Sequence, residues 1–474
     1  MTLSPGLWSL VQQVGRFLLA AIFYFAVVSF LAPADVGVLG IATVWIAFLG
    51  IFFDLGFGAA IVQRRQIEDR HLATVFFLNV GVGILLFMAG AALSWPLSAF
   101  MRVPAAQPVM LVLSAGFVIN ALSTVQAALA ARNLRFRALA LRDLGGVVAG
   151  GTVGVLLAWA GMGVWSLVAQ SLATSLIGTV LLWKLSPYRP RFSDWSTTAL
   201  KELWGFSSRL FGVTVFKYFV QNADVLQVGY FFGAVRLGLY SLATKAVTQP
   251  VGAIDAGVGS FLFSRAARLQ DEPARLADLY TTAYKGLNYL VLPFVVAAGV
   301  WGGLVIPAVL GPEWQGTGLV FVYLAIMGVA HPPMTPVGQL MKALGRPDWF
   351  LWWSIAFSVV TNGALLVGAQ FGFEAALAAL AASYVAMIPA ALFLVHRLLP
   401  GALPRILRAV APSYIPPISF ALVLVGLRLW LGNQLSVAVL STGMGAMLYL
   451  VLVHRSDPGF TALVRRQVVR VRPA

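Results

Sequence analysis

The chain of 474 residues contains no cysteine, which excludes disulfides, thiolate metal sites and cysteine nucleophiles. Its four histidines, His71, His331, His396 and His454, are scattered without metal-ligand spacing, so neither a metal site nor a cofactor is expected. Charge is scarce too. Asp, Glu, Lys and Arg together make up 10% of the sequence, against about 25% in an ordinary soluble domain. Acids are the rarer kind, 16 against 32 Lys and Arg, leaving a net charge of +16. In a soluble chain that excess would suggest nucleic acid. Here the cations sit in short loops between apolar runs, so membrane topology accounts for them and no nucleic-acid partner is expected. No stretch has the alternating, turn-punctuated pattern of a membrane barrel, and no segment outside the apolar runs is long enough to fold alone.

What is present is apolar. Sixty per cent of the residues are hydrophobic and the mean hydropathy is +0.89, enough for roughly fourteen membrane helices of about twenty residues each. The reading is an all-α integral membrane protein. Spans are expected near 10–32, 37–53, 72–94, 108–131, 143–161 and 163–183, then 204–232, 237–261, 286–308, 316–341, 349–369 and 374–394, with a last pair at 410–430 and 436–453. The N-terminus has no basic cluster and no small-residue cleavage site, so it reads as leading into an uncleaved first span. With this topology 25 of the 32 Lys and Arg fall on the side of the termini, and only Arg102, Arg236 and Arg428 on the other. Both termini are therefore expected in the cytoplasm.

Shifting the chain on itself by 201 residues pairs Arg16 with Lys217, Gly37 with Gly238, Ala42-Thr43 with Ala243-Thr244, and Arg64 with Arg265. It also pairs Asp54-x-Gly56-x-Gly58 with Asp255-x-Gly257-x-Gly259. An even number of spans separates the copies, so they cross in the same direction, as parallel repeats do. Two six-helix halves follow, 1–200 and 201–408, with a helix pair and basic tail at 409–474.

Four cations fall inside spans: Arg16, Arg209, Lys217 and Lys245. Each costs roughly 2.5–3.5 kcal/mol on insertion scales, so such residues need a wet or paired surrounding. Arg209, Lys217 and Gln221 share one slanting helical stripe, with Asn222 and Asp224 close by. The arrangement is either a set of ion pairs that fixes helix packing or a basic, substrate-facing cavity, and the second is the working expectation. Asp54, Asp224 and Asp255 are the candidates for ion pairing or ion coupling, although spaced glycines after an acid also serve close helix packing. Neither D-x-G-x-G run has the features of a nucleotide loop. The run His331-Pro-Pro-Met-Thr-Pro336 is expected to break span ten, with Gln339 and Lys342 following the break as a weaker site candidate.

Several stretches carry a resemblance: Leu31-Ala-Pro-Ala-Asp-Val-Gly37, Asn222-Ala-Asp224, Gly229-x-x-x-Gly233, Leu237-Gly-Leu-Tyr-Ser241, Leu310-Gly-Pro-Glu-Trp314 and Gly338-Gln-Leu-Met-Lys-Ala-Leu-Gly-Arg346. Their order resembles the polysaccharide and O-antigen flippases of lipopolysaccharide biosynthesis, the colanic-acid-exporter-like branch of the multidrug, oligosaccharidyl-lipid and polysaccharide exporter superfamily. The resemblance implies a bacterial inner-membrane flippase, not an enzyme, that moves undecaprenyl-pyrophosphate-linked oligosaccharide outward by alternating access. It implies membrane lipids, a glycan polymerase and chain-length machinery as partners, and a cavity role for Arg16, Arg209, Lys217 and Lys245. The alternatives are a cation-coupled drug exporter, which should have more carboxylates than cations in its spans, and a glycan polymerase or ligase, which should have a large catalytic loop.

Overall fold

The computed structural model describes residues 5–54, 57–64 and 66–460, and every regular element among them is helical. The first stretch contains α1 (Pro5–Val28), α2 (Pro33–Asp54), a short α3 (Phe57–Gln63), α4 (Asp69–Phe100), α5 (Ala106–Arg132), α6 (Phe136–Trp159) and α7 (Val164–Leu185). The 70-residue α8 (Thr197–Ala266) follows. After it come α9 (Pro273–Leu310), α10 (Thr317–Ala343), α11 (Pro347–Ala369), α12 (Phe373–Ala386), α13 (Ile388–Leu398), α14 (Leu403–Val410), α15 (Ile415–Leu431) and α16 (Leu435–Ser456). The chain forms two compact units, Met1–Gly238 and Leu239–Ala474.

Twelve helices among the described residues are long and apolar enough to cross a membrane. The expectation was fourteen. The expected spans at 10–32 and 204–232 run in part through side chains outside the described residues, and the stretch Asn222–Ala266 counts once although α8 is broken inside it. The break is Gly233, at φ 74° and ψ −177°, a region open essentially only to glycine. The turn expected over 233–236 is thus a single residue, and helix resumes at Ala234.

In the first unit, α6 packs between α1 and α7. Its glycines permit the approach: a methyl group at Gly151 would overlap the Phe23 ring of α1, and one at Gly146 would come within 2.7 Å of the Thr174 carbonyl oxygen of α7. The α1–α2 turn is tied to the start of α7 by Asp35, whose carboxylate accepts the Val164 N–H at 3.1 Å and the Ala32 N–H at 3.3 Å. The first limb of α8, residues 197–232, is tied to α2 by the Tyr218 hydroxyl, which donates to the Val44 carbonyl.

A reciprocal contact joins the start of α2 to the turn of α8. A methyl group on Gly37 would overlap the Ala234 carbonyl, and one on Gly238 would overlap the Pro33 carbonyl. The offset of 201 relates Pro33 to Ala234 and Gly37 to Gly238, so each glycine packs on the counterpart of the other's partner. This is the form of contact that two-fold related segments make.

In the second unit, α9 and α10 pack on one another, and α12 and α13 pack on α10. Leu262, Tyr280, Met334, Val337, Leu340, Met341 and Val395 form their core. The last pair, α15 and α16, docks on α9 through Tyr289, Trp301, Phe420, Leu424 and Tyr449. Several of its polar groups are paired. Tyr449 donates to the Tyr289 carbonyl at 2.8 Å, Asn288 Nδ2 to Ser413 Oγ at 2.7 Å, and the Tyr284 and Tyr414 hydroxyls lie 2.9 Å apart. Lys285 and Asp457 pair at 2.9 Å.

Candidate functional site

A cluster of span-interior polar side chains lies where α10 faces the second limb of α8, residues 234–266. Three prolines, Pro332, Pro333 and Pro336, lie inside α10, and each deletes one backbone hydrogen bond to the preceding turn. Helix periodicity then places His331, Thr335 and Gln339 on one face. All three are partly exposed, whereas residues 332–334 and 336–338 between them are buried. The prolines and apolar residues fill the core side, and the polar stripe lines the other.

Opposite this stripe stands Asp255. His331 Nε2 lies 2.9 Å from one carboxylate oxygen of Asp255 and 2.8 Å from the other, with the two side chains 26% and 25% exposed. Thr335 Oγ1 is 3.1 Å from the same imidazole nitrogen and donates to the His331 carbonyl at 3.1 Å. One helical turn past Asp255, Gly259 has no side chain, and Gln339 Nε2 fills the space, 3.0 Å from where a Cβ would be. The D-x-G-x-G run thus supplies both the acid that meets His331 and the gap that admits Gln339. Packing and pairing are served by one motif.

Lys245 lies on the same limb, ten residues before Asp255, and is exposed. Ten residues of helix put the two about 15 Å apart along the axis and roughly a quarter turn apart around it. Asp224 is partly buried on the first limb. Asn222 spends its amide on its own helix, Nδ2 donating to the Tyr218 carbonyl at 3.0 Å. Arg16 is exposed on α1. One turn before it, Gln12 Nε2 donates to Asp143 of α6 at 2.7 Å, and Arg142 Nε lies 3.7 Å from the same carboxylate. The side chains of Asp54, Arg209, Lys217 and Gln221 lie outside the described residues. The structure therefore joins two features that the sequence leaves apart, Asp255 and the His331–Pro336 segment, which stays helical inside α10 although a break was expected there, and adds Asp143 as an acid at the α1–α6 contact. The signal for His331 is that it is an ionisable residue inside a hydrocarbon-length run, which is itself a pointer to function.

The arrangement offers a partly exposed carboxylate–imidazole pair, a hydroxyl, an amide and a cation within two neighbouring helices. Such groups can hydrogen-bond hydroxyl-rich or anionic ligands or pass a proton.

Comparison with known proteins agrees in fold and sequence. The lipid II flippase MurJ in an inward closed conformation superposes with a TM-score of 0.69 over 95% of this chain and 99% of that one, at 11% identity. An inward-facing MATE multidrug transporter of the MOP superfamily gives 0.62 over 82% and 96%, at 17% identity. The succinoglycan biosynthesis transport protein ExoT of Rhizobium meliloti is 24% identical, with 77% of this chain and 74% of that protein covered. The lipopolysaccharide biosynthesis protein WzxC of Escherichia coli is 24% identical over 78% and 75%. The teichuronic acid biosynthesis protein TuaB of Bacillus subtilis is 25% identical over 69% and 68%. Residues 26–318, more than half the chain, match the family described as polysaccharide biosynthesis protein, and this multi-pass membrane chain belongs to that family.

Proposed function

We propose that this chain is a flippase that moves a polyprenyl-pyrophosphate-linked oligosaccharide from the cytoplasmic to the periplasmic leaflet of a bacterial inner membrane. The observation that carries the reading is the set of span-interior polar groups, Lys245, Asp255, His331, Thr335 and Gln339, which stay partly or wholly exposed within membrane-length helices. Nothing in lipid rewards such exposure, whereas a transported polar head does. The relatives named for succinoglycan transport and for teichuronic acid and lipopolysaccharide biosynthesis support a glycan cargo, and the MurJ fold supports a frame suited to lipid-linked substrates.

In this mechanism a cation such as Lys245 offsets the cost of drawing pyrophosphate into low dielectric. Sugar hydroxyls meet the side chains of α10, and the polyprenyl tail stays in lipid. Arg16, Arg209 and Lys217 supply further positive charge, with Gln221 and Asn222 beside them, and Asp54, Asp224 and Asp255 balance it. Two negative charges moving outward along an inside-negative potential gain roughly 4–5 kcal/mol per 100 mV, so the potential suffices to drive the flip. The chain works as a transporter and not as an enzyme. Its halves are 1–200 and 201–408 with the added pair at 409–474; the reciprocal packing of Gly37 and Gly238 supports that division. Cytoplasmic termini follow from the loop cations. A deletion strain should accumulate lipid-linked repeat units on the cytoplasmic leaflet. Accumulation of unpolymerised units on the outer side would instead support a polymerase or ligase.

A further inference from the structure

On the first unit, α5 and α7 run side by side and both end at basic residues, Arg132 and Lys184. Two hydrogen bonds hold them in register: Thr179 Oγ1 donates to the Ile119 carbonyl at 3.2 Å, and Trp183 Nε1 to the Leu122 carbonyl at 2.6 Å. Between them lies a groove of about 380 Å³, within the usual size of ligand pockets. Leu122, Leu176 and Val180 form its apolar walls, Trp183 closes one end, and Lys184 and Arg189 stand at its rim. Leu176 and Val180 are 51% and 45% exposed.

The rim cations differ in how they are held. Arg189 is fixed: Nη1 donates to the carbonyls of Ser186 at 2.6 Å and Tyr188 at 2.9 Å, Nη2 to that of Trp183 at 3.0 Å, and the guanidinium lies 5.3 Å from the centre of the Trp183 ring. These bonds use three of its five donors and leave its charge unneutralised. Lys184 is exposed and makes no hydrogen bond or ion pair among the described residues. Asp69 and Asp194 lie near Tyr188, where burial first and then these two carboxylates push the phenol up from its ordinary range. Tyr188 lines a separate cavity of about 70 Å³ with Gln126 and Asn133, and not the groove.

An apolar trough about 12 Å long, from Leu176 to Lys184 at 1.5 Å per residue, ending at two adjacent cations at the basic edge of a span, has the layout of one lipid. We propose that this groove binds an anionic phospholipid of the leaflet on the basic side, its acyl chain along Leu176 and Val180 and its phosphate at Lys184 and Arg189. The proposal is independent of the cargo. Each cation near such a headgroup contributes about fivefold in affinity, so the two give a preference of more than tenfold over a zwitterionic lipid of the same chains.

The test uses the full-length chain in nanodiscs containing equal phosphatidylglycerol and phosphatidylcholine, with bound lipids counted by native mass spectrometry. Wild type should retain one tightly held phosphatidylglycerol that Lys184→Glu loses and that Val180→Trp, which fills the trough without changing charge, also loses. Arg455→Ala, a cation of the other unit, should retain it. Arg189 is left intact because its carbonyl bonds also close the end of α7. Equal retention of both lipids by wild type, or wild-type retention by Val180→Trp, would overturn the proposal whether or not the Lys184 variant is obtained folded.

Discussion

Gly37 and Gly238 have no room for even one methyl group, because each would drive a Cβ into a backbone carbonyl across the α2–α8 contact. Backbone cannot give as a flexible side chain can, so Gly37→Ala should cost about 1–3 kcal/mol, the usual price of overpacking. Thermal unfolding in detergent should show a lowered midpoint for Gly37→Ala and for Gly238→Ala. Since either substitution separates the same two segments, the double variant should lose less than the sum of the two. A wild-type midpoint for both single variants would refute the contact. The Asp255–His331 pair makes a second residue-scale case. His331→Ala should cost about 1–2 kcal/mol, less than the 3–5 kcal/mol of a fully buried pair, because a quarter of each side chain is exposed. Asp255→Ala should cost a similar amount, and a double-mutant cycle should show coupling between the two. Strict additivity would mean that the pair is an accident of proximity.

Among the elements, α8 depends on one residue. Gly233 holds a conformation that a side-chain-bearing residue pays about 1–3 kcal/mol to adopt, so Gly233→Ala should lower the unfolding midpoint where Gly252→Ala, a helical glycine with open space around it, should raise or keep it. The glycine that ends the first limb was legible in the sequence. That the turn is a single residue was not, since hydrophobicity marks spans and not their joints. Twelve spans are counted among the described helices; the expected spans at 10–32 and 204–232 run in part through side chains outside the described residues. The break expected from Pro332, Pro333 and Pro336 does not occur, since α10 stays helical from Thr317 to Ala343 as membrane helices tolerate proline; the polar face that His331 opens was legible. Its pairing with Asp255 was not: it joins positions 76 apart and depends on which helix faces which. At Asn222 the sequence leaves two uses open. Its polarity suggested a ligand contact, yet an asparagine can satisfy its amide on the carbonyl one turn back, and sequence pattern does not distinguish the two uses.

For the whole molecule the question is which charge meets the cargo. Lys245 is the one intramembrane cation of the second unit that the sequence nominated, and it is exposed on the second limb of α8. A unit charge 4 Å from a phosphate is worth about 4 kcal/mol at an effective dielectric of 20, and a partly hydrated contact retains a fraction of that. If about 1.4 kcal/mol survives, removing the charge costs tenfold. Lys245→Ala should therefore lower surface-glycan export at least tenfold at unchanged protein level in the membrane. Lys245→Arg should retain most activity, because the charge persists, and Lys245→Glu should abolish export by repelling the pyrophosphate. Export is read from surface glycan in a deletion strain complemented with each variant, and lipid-linked repeat units on the inner leaflet should rise as export falls. Wild-type export from Lys245→Glu would remove Lys245 from the transport path and shift the search for the cationic contact to Arg16, Arg209 and Lys217.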